Sequence, residues 1–115
     1  MDWAQLAVDY LNDQLSIFVY HTAPQTKPSE FAVLRLSTTL QYDKVQVTPQ
    51  FIITVWAKSR ARASELAEAV RMAMFFADEN LDDVFGVSMV GDYRELNPPL
   101  GYEQRILTFQ WQTNV

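Results

Sequence analysis

The chain has 115 residues and no cysteine, which excludes disulfide scaffolds, cysteine zinc sites and thiol nucleophiles. Its composition is 49% hydrophobic, 13% aromatic and 20% charged, which rules out intrinsic disorder. The net charge of −5 runs against a general nucleic-acid binder. A chain of this size exposes roughly 6,500 Å² folded against about 19,000 Å² unfolded, enough burial for a core without staples. A single domain over 1–115 is therefore expected. No apolar run reaches the length of a membrane span, and Met1-Asp2-Trp3-Ala4-Gln5 lacks the basic start and apolar stretch of a signal peptide.

Trp3, Leu6, Ala7, Tyr10 and Leu11 recur at helical spacing, with Gln5, Asp9 and Asn12 largely opposite. Asp2 is placed to cap this helix, and Asn12 and Asp13 are candidate stop residues. Leu15, Ile17 and Val19 then alternate with Ser16, Phe18 and Tyr20, predicting a short strand. Pro24 and Pro28 make 21–29 a loop, since proline removes a donor and fixes φ.

A longer strand is predicted over 30–40, with Ala32, Leu34, Leu36 and Leu40 on one parity and Phe31, Val33, Arg35 and Ser37 on the other. Residues 41–49 are polar, with a turn at Tyr42-Asp43-Lys44. The run 50–57 is apolar on both faces (Phe51, Ile52, Ile53, Val55, Trp56) and belongs in the middle of a sheet.

Ser59 is a good N-cap for a second helix. Ala63, Leu66, Ala67, Val70, Ala73, Met74 and Ala77 form its buried stripe, while Arg62–Glu65 and Glu68–Arg71 can pair on its outer side. The acidic run Asp78 to Asp83 is expected to end that helix. Phe85, Val87 and Met89 alternate with Gly86, Ser88 and Val90 in a fourth strand, followed by a long loop over 91–101. The last strand alternates most cleanly: Arg105, Leu107, Phe109 and Trp111 against Gln104, Ile106, Thr108, Gln110 and Gln112. The order helix, three strands, helix, two strands predicts an α+β fold. One antiparallel or mixed five-stranded sheet would carry two helices on one face.

Chemistry is sparse. His21, the one histidine, has no positioned nucleophile or carboxylate beside it and reads as a surface residue. The Asp78, Glu79, Asp82, Asp83 run lacks calcium-loop spacing and reads as a solvated helix end. Gly86, Gly91 and Gly101 open no helix, so no phosphate loop is present. Lys58, Arg60 and Arg62 form a basic cluster too small for nucleic acid but suited to an acidic protein surface. No enzyme, cofactor or metal is expected. The exposed face of the last strand is polar yet nearly uncharged, which suits a subunit that meets copies of itself.

The segment order resembles the tail terminator (tail completion, head–tail joining) proteins of long-tailed bacteriophages and prophages. The resemblance rests on the short opening helix followed by a strand and a Pro-bearing loop. It rests also on the run Phe51-Ile52-Ile53-Thr54-Val55-Trp56-Ala57-Lys58-Ser59-Arg60-Ala61-Arg62-Ala63 with the Ala-rich helix behind it, and on the Asp92–Arg105 loop with Tyr93, Pro98 and Gly101. It implies a homohexameric ring that caps the tail tube, stops its polymerisation and offers a joint to the head-completion connector. It implies assembly in the bacterial host cytoplasm, a place at the tail–head junction of the virion, and no catalysis. Candidate subunit or partner contacts are Tyr42, Asp43, Lys44, Lys58, Arg60, Arg62, Asp92, Tyr93, Arg94 and Glu95. The alternative is a small ligand-sensing or scaffold domain that dimerises through its sheet, recognisable by a pocket with convergent polar groups.

Overall fold

Asp2 accepts a hydrogen bond from the Gln5 amide at 3.0 Å and so starts α1 (Trp3–Gln14) as expected. The computed structural model describes residues 2–41 and 46–114. After α1 come β1 (Val19–Tyr20), β2 (Phe31–Gln41), β3 (Gln46–Ala57), α2 (Arg60–Phe75), α3 (Ala77–Asn80), β4 (Val84–Arg94) and β5 (Glu103–Asn114). The five strands form one sheet in the order β1-β2-β3-β5-β4. β1 runs parallel to β2 and every other pairing is antiparallel, so the sheet is mixed and the fold is α+β. None of the described helices is long and apolar enough to cross a membrane.

The alternation of the strands sets the layers. Leu34 and Leu36 of β2, Phe51, Ile53 and Val55 of β3, and Leu107, Phe109 and Trp111 of β5 face one way. They meet Trp3, Ala7, Tyr10 and Leu11 of α1 and Ala63, Leu66, Val70 and Met74 of α2 in one core. The centre of that core is aromatic: the Trp111 ring stands edge-on to Phe51 at 4.8 Å and to Tyr10 at 6.2 Å. β3 lies in the middle of the sheet, as its two apolar faces require.

Several boundaries differ from the sequence reading, each for a local physical reason. Asn12 does not stop α1. It sits inside the helix and its amide grips the backbone of Val19: Oδ1 accepts from the Val19 N–H at 2.7 Å and Nδ2 donates to the Val19 carbonyl at 3.2 Å. That side chain stands where a neighbouring strand would, on the open side of β1. β1 is only two residues long because the Leu15 amide instead bonds back to Leu11 and closes the helix.

β3 starts at Gln46, so the polar stretch 46–49 is strand rather than turn. Pro49 is tolerated in this central strand because the β3–β5 ladder skips Thr48 and Pro49. A register shift between Leu36 and Thr38 breaks the expected alternation of β2, and Leu40 is exposed. The acidic run does not end α2. The chain bends at Phe76, and Asp78 and Glu79 lie in the separate short helix α3. β4 continues to Arg94, so Asp92, Tyr93 and Arg94 belong to a strand and the connecting loop is shorter than expected. Two irregularities, between Val84 and Gly86 and between Met89 and Gly91, let β4 stay paired along this length.

Candidate functional site

The basic cluster and the second half of β4 come together at one end of the molecule. Ser59 caps α2, its Oγ accepting from the Arg62 amide at 3.2 Å, and this places 58–62 at the helix start. Lys58 stands 3.8 Å from the centre of the Tyr102 ring, in the hairpin that joins β4 to β5. Tyr102 donates to the Pro28 carbonyl at 2.8 Å and so pins the Pro-bearing loop. Arg62 forks onto Glu30 of that loop and also reaches Glu65 at 2.9 Å. Hydrogen bonding to Glu30, then to Glu65, drives its ionisation still further above the ordinary arginine value. Arg62 therefore ties the loop to α2. Arg60 is exposed at the first turn of α2 without an ion-pair partner among the described residues.

The 92–95 residues are likewise used internally. Asp92 pairs with Arg105 at 2.5 Å, and Arg105 also donates to Ser64 of α2 at 3.2 Å, so this unit bolts β4 and β5 to the helix. Arg94 faces Glu103 at 3.4 Å across the hairpin. The Glu95 carboxylate accepts from the Asn97 amide and shapes the turn. Of this group Tyr93 alone points outward, more than half exposed on the sheet face away from the helices. Tyr42, Asp43 and Lys44 lie outside the described residues.

That outer sheet face carries the feature that sequence reasoning missed. Strand register lines up Val33, Thr54, Ile106 and Tyr93 in one row across four strands, with Arg35, Ile52, Thr108 and Gly91 in the next. Val33, Thr54 and Ile106 of the first row, with Arg35 and Ile52 of the second, floor an open trough of about 420 Å³, walled at one side by His21, Thr22 and Ala23 and at the other by Tyr93. Arg35 projects into it and makes no ion pair among the described residues. Its position as the lone charge of an otherwise uncharged strand was the available signal. His21 sits exposed on the rim, with Nε2 3.1 Å from the Gln5 side chain. Beyond the trough Phe31, Trp56 and Tyr102 form a second aromatic cluster on this face, with Phe31 stacked on Trp56 at 4.9 Å and fully buried.

Two further surfaces are open. β4 is a sheet edge that exposes Phe85, Met89 and Val90, and it carries no charge from Val84 to Gly91. On the helix side a groove of about 630 Å³ lies between the end of α1 and the α2–α3 bend, with Met72 and Phe76 exposed in its wall. Among the described residues no group of His, Asp and Glu side chains could hold a metal ion.

No protein-family model and no curated protein matches the chain. Its fold is similar to that of a chain in a solved structure described as the virion of the native gene transfer agent (GTA) particle. The TM-score is 0.61 and the identity 14%, over 96% of this chain and 85% of that one.

Proposed function

We propose that this protein is a structural subunit of a phage-like particle, and that it caps the tail tube as a ring, stops tube polymerisation and presents a joint to the head connector. The observation that carries this reading is the shared fold, which spans nearly the whole of this chain and most of the virion chain it resembles. The surface supports it. The β4 edge, the outer trough and the helix-side groove are three distinct open faces with exposed apolar side chains. A ring subunit needs this distribution, because a cyclic head-to-tail contact joins two different patches and the cap needs another surface for the tube.

Capping follows from asymmetry between the two ring faces: one complements the tube end and the other does not accept a further tube ring. The contact elements in this reading are the Lys58–Arg60 end, where Lys58 and Arg60 make no ion pair among the described residues, together with Tyr93 and the Tyr42–Lys44 segment. The test is electron microscopy of the purified chain with and without purified tail tubes. Rings with a central hole, seated at tube ends and arresting tube growth, are the expected result. A stable dimer that binds a metabolite and ignores tubes would refute the reading.

A further inference from the structure

The outer trough is half of an interaction whose other half the same chain displays. Arg35 makes no ion pair among the described residues, and Ile52, directly opposite it in the ladder, belongs to the apolar floor. A site of this composition takes a carboxylate with an apolar group a short distance away. The turn from α3 into β4 presents that pair. Leu81 packs on the core and Val84 is buried, so Asp82, Asp83 and Phe85 are held outward. Neither aspartate makes an ion pair among the described residues, and Phe85, at the β4 irregularity, is 53% exposed. In extended chain Asp83 and Phe85 lie roughly 6.6 Å apart, close to the roughly 5 Å that separates cross-strand neighbours such as Arg35 and Ile52.

The two halves cannot meet within one molecule. Arg35 shares a row with Thr108 and Gly91, whereas Phe85 lies beside Gln112 and Thr113, four to five β5 residues or about 15 Å further along, and three strand spacings across the sheet. Resting on the ring reading above, we infer that the trough receives the Leu81–Phe85 corner of a second copy, with Phe85 over Ile52 and Asp83 on Arg35. Joined one way, the corner of one copy in the trough of the next, the contact leaves each subunit one free half and propagates around a ring, whereas reciprocal exchange between two copies would close a dimer. Charge complementarity selects the acidic corner as occupant, and the apolar floor gives Phe85 a place out of water.

The absence of natural cysteine makes the contact directly testable. An Ile52→Cys chain is mixed with a Phe85→Cys chain under mild oxidation at high protein concentration, alone and on tail tubes. A disulfide-linked heterodimer is expected in the mixture, with little product from either variant alone. Adding Arg35→Glu to the Ile52→Cys chain should abolish it, and Asp82→Arg with Asp83→Arg in the Phe85→Cys chain should restore it. The contact is overturned if the mixture gives no heterodimer, or if Arg35→Glu leaves the yield unchanged. It is also overturned if a small carboxylate, rather than a second copy, protects the Ile52→Cys thiol from alkylation. Rings on tubes without this cross-link remove the contact and leave the cap. The cross-link without tube capture keeps the contact and removes the cap.

Discussion

Asn12→Ala is the most direct probe of how this sheet is finished at its β1 edge. The Asn12 amide makes two hydrogen bonds to Val19, whose side chain is fully buried and whose carbonyl and N–H point away from β2 toward α1. Removing both bonds and leaving part-buried backbone groups unpaired costs about 2–3 kcal/mol. Alanine recovers about 0.5 kcal/mol through its better helix propensity in α1. The net expectation is a loss of about 2 kcal/mol, read as a lower urea midpoint with unchanged slope. For a domain of this size that corresponds to a drop of about 8 °C in melting temperature. Amide exchange at Val19 should rise together with that of Ala32, whose N–H bonds to Phe18 across the β1–β2 edge. A change below about 0.5 kcal/mol with unaltered Val19 protection would refute the role given to this side chain.

Three other outcomes follow from the packing. Tyr10 donates to the Ala73 carbonyl, one of the last of α2, at 2.5 Å, and burial raises its ionisation above the ordinary value of 10.0. Its contribution is therefore complete below pH 10 and lost as pH rises through the higher folded value, so Tyr10→Phe should cost about 1 kcal/mol near neutrality and much less in strong alkali, as denaturation across pH will show. Phe31→Ala should cost about 3–5 kcal/mol in chemical denaturation, because it empties the centre of the outer aromatic cluster. Gly101→Ala should cost about 1–2 kcal/mol, since its φ of +83° strains any Cβ; an unchanged midpoint would show that the hairpin relaxes.

Periodicity made most of the fold legible. The capped starts of α1 and α2, the buried stripe of α2, the central place of β3 and the two-faced pattern of β5 all follow from side-chain spacing, which local geometry converts directly into faces. What spacing missed was decided between elements. Asn12 reads as a helix stop because its short amide often competes with the backbone locally, but here it satisfies the backbone of β1. The stretch 46–49 and residues 92–94 read as loop for their polarity and glycine, yet neighbouring strands take up their hydrogen bonds.

The candidate site divides along the same line. Charge pattern picked out Lys58, Arg60 and Arg62, and the family resemblance, with its need for charged contact loops, added residues 92–95. Only the tertiary structure shows that Arg62, Asp92, Arg94 and Glu95 are engaged internally while Arg60 and Tyr93 face outward. The trough around Arg35 exists only because register aligns residues from four strands that are far apart in the chain. The chain's own pattern therefore determined the elements and their apolar faces, since those depend on spacing within a few residues. Which charges stay free, and what surface they stand on, depended on strand order and register. Those are properties of distant segments meeting, and no local period encodes them.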